Sequence, residues 1–116
     1  KLEIVAEQES IQKEASRLWR IEYDEKLRKE EEVRQQKKNE LNRTKQVLIE
    51  ANLHNKANII RHYLEIAKQN AINKKEFTIE KEEWLNWANK KADWIDPLIN
   101  CEDELLNDDN KLELLK

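Results

Sequence analysis

From residue 1 to residue 73 the chain has no glycine, no proline and no cluster of turn-forming residues, so nothing there stops a helix. Unbroken, such a helix runs roughly 105–110 Å at 1.5 Å per residue. The whole 116-residue sequence has no glycine and a single proline. Average usage would supply about eight glycines. Without them, tight turns, β-bulges and phosphate-cradling loops are lost together. Leu, Ile, Val and Phe make up 29 residues and the net charge is only −3, a balance on the folded side of the compositional border with disorder. The expected fold is all-α: a long, coiled-coil-like N-terminal helix over about 1–73, with a short C-terminal helix over about 79–95 folding back as a helical hairpin.

Three surfaces succeed one another along the long helix. Over 2–23, Ile4, Ile11 and Leu18 recur every seven residues, and Trp19, Ile21 and Tyr23 widen the patch. Continued, the same register reaches Glu25, Lys29, Glu32 and Gln36. The seam therefore fades before the three or four heptads a coiled coil requires. Ile4, Ile11, Leu18, Trp19 and Tyr23 are read as a local docking patch for a partner or for another part of a longer protein. Residues 24–46 carry 14 charged side chains among 23. Glu22/Lys26, Asp24/Arg28, Glu25/Lys29 and Glu30/Arg34 place acid before base at i,i+4, each worth ~0.2–0.5 kcal/mol. This stretch reads as a solvated spacer; the alternative is one strand of a polar coiled coil.

The third surface carries most information. Ile49, Leu53, Ala57, Ile60, Leu64, Ala67 and Ala71 step by three and four, a sustained helical face. Leu48, Ile59, Tyr63 and Ile66 lie beside it and widen the apolar arc to about 180°, where ~100° is enough to pack on one core. Two neighbours are implied. The first is the returning helix. After a polar break at 73–77, in which Asn73 is expected to take a left-handed cap conformation, Thr78 offers an N-cap hydroxyl ahead of Glu80, Glu82 and Glu83. The helix ends where Asp96 precedes Pro97. Trp84, Leu85, Ala88, Ala92 and Ile95 make its main face, with Trp87 and Trp94 along one edge.

Three regions follow: a charged helical stalk over 1–46, a helical hairpin over 47–99 and a short acidic helical tail over 100–116, whose periodicity Asp108-Asp109-Asn110 is expected to break. Ile49, Leu53, Ile60, Tyr63, Leu64, Ile66, Trp84, Trp87, Ala88, Trp94 and Ile95 form the expected core and interface set. Among the tryptophans Trp84 is expected to be the most buried, while Trp87 and Trp94 are the candidates for contact with another chain.

The segments Arg61-His62-Tyr63-Leu64, Glu83-Trp84-Leu85-Asn86-Trp87-Ala88 and Ala92-Asp93-Trp94-Ile95-Asp96-Pro97-Leu98 together resemble the C-terminal helical region of a group of uncharacterised bacterial proteins. There a charged helix leads through R-x-Y and a short break to a W-x-x-W-A-x3-A-D-x-x-D-P ending. The resemblance covers roughly residues 14–99, and its specific part is that ending. It implies a bacterial, cytoplasmic setting and more chain ahead of Lys1. It supplies a shape and no chemistry.

Candidate chemistry is sparse. His54 and His62 are eight residues apart, about 12 Å along a helix, too far to share a metal ion, and no further ligand stands at the right spacing. His62 falls on the polar face of its helix and reads as solvated. Asp93 and Asp96 have the spacing of an acid/base pair, but their simpler roles are structural. Asp96 caps what begins at Pro97, and Asp93 accepts hydrogen bonds at the hairpin end or pairs with an arginine such as Arg61. The tryptophan set is a base-stacking platform on one reading and packing on the simpler one. Cys101, the only cysteine, is followed by acids, which argues against a nucleophile and excludes an internal disulfide. No catalytic residue, metal ligand or cofactor is assigned.

Residues 43–75 hold 7 basic and 2 acidic side chains, and 76–116 hold 5 and 12. The two regions attract one another in a hairpin. The alternative is a regulatory nucleic-acid contact by Arg43, Lys45, Lys56, Arg61, Lys68, Lys74 and Lys75. These do not share one face, and they flank the apolar arc as snorkelling side chains do. No run approaches the length of a membrane span. The expectation is a non-catalytic protein–protein interaction or self-association module, a homodimer in the cytoplasm. Lys1 at the start and the lack of methionine lead us to expect a piece of a larger protein.

Overall fold

A computed structural model describes residues 2–116, with side chains from Ala6 onward. Ile4 of the expected docking patch therefore lies outside the described side chains. The described residues form three helices and no strands: α1, Leu2–Asn73; α2, Ile79–Ile95; and α3, Asp108–Glu113. The all-α expectation holds, and the ends of α1 and α2 fall where the break at 73–77 and the Asp96-Pro97 step place them.

The chain divides into two compact units, Lys1–Arg43 and Thr44–Lys116. In the first, every described side chain is exposed, including Ile11, Leu18, Trp19 and Tyr23. Trp19 and Tyr23, at i,i+4, stack with ring centroids 5.3 Å apart and planes 7° from parallel. The ion pairs differ in part from those expected. Lys29 reaches Glu25 at 3.9 Å, whereas Arg28 lies between Glu25 and Glu32, and Arg34 turns to Glu31. An arginine fork reaches the acid one turn back as readily as one four residues away, so a charge-dense helix offers competing partners at i,i+3. All these pairs are solvated and each contributes little.

The second unit contains the core. Leu53, Ala57, Trp94 and Ile95 form one buried cluster, against which Ile49, Ile60, Cys101 and Leu115 pack. Leu64, Leu85 and Ala88 form another. Alanines dominate the line of contact: Ala57 and Ala92 are fully enclosed, and Ala71 and Ala88 nearly so. Small residues let the two helix axes approach closely. That corrects the expected order of the tryptophans. The line of α2 that meets α1 runs Leu85, Ala88, Ala92 and Ile95, and Trp84 falls about 100° off it. Trp84 is 37% exposed and Trp87 is 56% exposed, while Trp94 is 3% exposed. The difference comes from the C-terminal segment, which returns over Trp94 and brings the Lys111 ammonium to 5.2 Å from its ring centroid.

α1 ends in a Schellman motif. Glu76 N–H donates to the Ala71 carbonyl at 2.8 Å and Lys75 N–H to that of Ile72 at 3.1 Å. The left-handed residue is Lys75, with φ 59°, and not Asn73, which stays helical. A side chain with a Cβ costs ~1–2 kcal/mol in this conformation. Part of that gain is offset by glycine's freer unfolded state. Lys75→Gly is therefore expected to stabilise the unit by about 0.5–1 kcal/mol in urea denaturation; a loss would mean the turn does not need positive φ. Thr78 then caps α2, its side chain accepting from Lys81 N–H. A second correction concerns Asp108-Asp109-Asn110, which opens α3 and does not break a helix. Asn107 is the N-cap, and it exchanges side-chain and backbone hydrogen bonds with Asn110 in a capping box. The two aspartates in the first turn suit the positive helix end.

Candidate functional site

Two features of the second unit are candidates for function: a polar cluster where α2 ends, and an uncovered apolar side of α1. The cluster is built by spacing. His54, Asn58 and Arg61 step by four and three, which puts them on one side of α1 next to the buried line through Leu53, Ala57 and Leu64. Asp93 and Asp96 step by three at the end of α2. Arg61 bridges both carboxylates: Nη1 donates to Asp96 Oδ2 at 2.7 Å, and Nη2 to Asp93 Oδ1 at 2.9 Å. Asp96 is buried, yet its other oxygen is also satisfied. Oδ1 lies 2.9 Å from His54 Nδ1 and accepts from Leu98 N–H at 3.0 Å.

Burial pushes the Asp96 carboxyl pKa up, but the hydrogen bonds from His54, Arg61 and Leu98 outweigh it and hold the group at about 2. The two carboxylates in turn raise the guanidinium pKa of Arg61, Asp96 more than Asp93. With an ionised carboxylate as acceptor, His54 Nδ1 is the donor. Its Nε2 faces Asn58 Nδ2 at 3.1 Å, and Asn58 Oδ1 accepts from Arg61 Nη1 at 3.0 Å. The hydrogen-bond logic assigns Nε2 as an acceptor. Both imidazole nitrogens are thus engaged. His62, expected to be solvated, is exposed, and His54 is the histidine the network uses.

This closed network acts as a latch. It fixes the last turn of α2 against the middle of α1 and commits Arg61 to the two aspartates. Of the two roles open to Asp93, it takes the pairing with Arg61. Asp96 caps a turn, with Ile99 N–H donating to its carbonyl at 3.1 Å, and Pro97 sits exposed in that turn. A second tie lies further on. Lys91 pairs with Asp103, whose carboxylate also accepts from the Leu105 and Leu106 N–H groups. Lys91 first and those two amides next hold the Asp103 pKa at about 2. Among the described residues no group of three or more metal-ligating side chains converges.

No family model, curated protein or solved structure matches this chain. The geometry carries the functional argument. After α2 and the C-terminal segment have covered one side of α1, another side remains open: Leu48, Ile59, Tyr63 and Ile66 are each between 55% and 60% exposed. Of the expected set, Leu53, Leu64, Ala88, Trp94 and Ile95 are buried and Ile49 and Ile60 are half-buried, whereas Tyr63, Ile66, Trp84 and Trp87 are exposed. The exposed tryptophans carry cations: Lys81 Nζ sits 4.5 Å from the Trp84 ring centroid and Lys91 Nζ 5.9 Å from that of Trp87. Spacing alone pointed to the aspartates and Arg61. The signal for His54 was its place one turn before Asn58 and beside a buried leucine, which becomes legible only with Asp96 opposite.

Proposed function

We propose that this chain is a non-catalytic self-association module, a helical hairpin that binds a second copy of itself through the side of α1 left open by its own folding. The observation that carries this reading is the exposure of Leu48, Ile59, Tyr63 and Ile66 beside a finished core. Four large apolar side chains on one helix side amount to roughly 400 Å², the size of the largest patches on ordinary monomers, which are often functional. The ionisable cluster speaks for structure and not for catalysis: its carboxylates are neutralised, its imidazole is engaged at both nitrogens, and no nucleophile adjoins it. The basic stretch is weaker as a phosphate-binding surface once Arg61 is withdrawn into the latch. The resemblance to a bacterial protein group supports a setting within a larger cytoplasmic bacterial protein. No helix among the described residues is long and apolar enough to cross a membrane.

Sedimentation equilibrium tests the reading. The expected result is a dimer that Ile59→Lys converts to a folded monomer, with helicity unchanged by circular dichroism. A folded monomer for the unaltered chain overturns it. So does association that salt-dependent nucleic-acid binding accounts for.

A further inference from the structure

The open side of α1 has an internal order. Lys45, Asn52 and Ile59 are seven residues apart, and so are Leu48, Asn55 and His62. The two series interleave at three and four, the a and d positions of a heptad seam. The seam lies about 140° around the helix from the buried Leu53 and Leu64. All six residues belong to the second unit, and Leu48, Asn52, Asn55, Ile59 and His62 are exposed. From N- to C-terminus the order is cation, aliphatic, amide, amide, aliphatic, imidazole, with steps of three, four, three, four, three. It reads nearly the same in both directions.

We infer that two copies of this chain pack antiparallel along this seam about a two-fold axis, with Asn52 of each copy facing Asn55 of the other; this rests on the self-association reading above. An isologous contact requires one surface to complement itself under a two-fold rotation. In an antiparallel pair, a positions meet d positions. The palindrome then sets Asn52 against Asn55, Leu48 against Ile59 and Lys45 against His62, each twice. Every pair is a sensible one. In a parallel pair, like meets like, and Lys45 would face a second Lys45.

The amides add an independent point. Among the described residues neither Asn52 nor Asn55 has a side-chain hydrogen-bond partner, although Asn58, one turn on, is fully used in the latch. Each carries a donor and an acceptor, so an Asn52–Asn55 pair satisfies itself without a third group. Polar residues placed within a helix–helix seam fix register at a cost in stability. Leu48 and Ile59 are the large apolar members of the seam, and Tyr63 and Ile66 border it on the same open side of the helix. An acidic amphipathic helix is the competing occupant, and it has no reason to match a palindrome.

Cysteine cross-linking of the full chain tests the arrangement, with Cys101→Ser as background. Lys45→Cys and His62→Cys are both exposed sites, so neither variant threatens folding. In the two-fold dimer, position 45 of one copy adjoins position 62 of the other. Identical positions lie about 25 Å apart along the axis, far beyond the ~7 Å Cα separation that a disulfide spans. The expected result is a disulfide-linked dimer only when the two variants are mixed, with each alone remaining unlinked on a non-reducing gel. Disulfides within each single variant would show a parallel pair and overturn the inference while leaving self-association intact. A dimer by sedimentation that no combination cross-links overturns the register. A monomer by sedimentation overturns the self-association reading itself.

Discussion

Trp94→Ala is expected to cost about 3–5 kcal/mol, the range for deleting a fully packed large aromatic side chain. Trp94 is 3% exposed and belongs to the cluster with Leu53, Ala57 and Ile95. On α1 the cluster is made by Leu53 and Ala57, with Ile49 and Ile60 beside them, and removing the indole leaves a void among side chains already packed. The loss should also release the C-terminal segment, because Lys111 sits over this ring and Leu115 packs against the same cluster. Amide exchange in 108–116 is therefore expected to accelerate beyond what global destabilisation explains. Trp84→Ala is the control. That ring is 37% exposed, with Lys81 at 4.5 Å, and its removal should cost only about 1 kcal/mol. Urea denaturation followed by circular dichroism orders the two variants. A Trp84 variant less stable than the Trp94 variant would mean that α2 presents its other edge to α1.

Much of this unit is written locally. The absence of glycine and proline to residue 73, the Thr78 cap and the Asp96-Pro97 stop each act within one helical turn, and they place the ends of α1 and α2 correctly. The burial of Trp94 is of another kind. On a helical wheel Trp94 lies on the edge of α2 away from Leu85, and only the return of residues 101–116 encloses it. That return is stabilised by Lys91 with Asp103 and by the Asn107 capping box, contacts between residues that no periodicity connects. The same holds for His54, whose decisive partner is 42 residues away. Lys75 in a left-handed conformation is a third case. The docking of α2 determines where the chain must turn, and the residue there accepts the strain.

Arg61→Met is the second large effect, about 2–3 kcal/mol. This lies somewhat below the ~3–5 kcal/mol for breaking a fully buried pair, because the Arg61 side chain keeps 28% exposure. The methionine retains most of the packing, so the loss reports on Asp96, left buried with only His54 and the Leu98 amide. That loss must depend on pH, with a definite sign. The folded-state pKa of Asp96 is about 2, below its ordinary value of 3.8. Between these values the folded chain binds fewer protons than the unfolded one. The contribution is therefore complete above ~pH 5, falls as pH drops through 3.8 and is gone below about 2. Asp103, also held at about 2, adds to the acid sensitivity through a separate contact. Asp96→Asn should consequently flatten the stability curve between pH 5 and 2 without abolishing its slope, and Asp96→Asn with Asp103→Asn should flatten it further. The penalty of Arg61→Met should shrink over the same window, since a protonated Asp96 no longer needs the guanidinium. Urea titrations at a series of pH values measure all three. A penalty for Arg61→Met that stays constant down to pH 2 would mean that the arginine acts by packing alone and that the latch is not electrostatic.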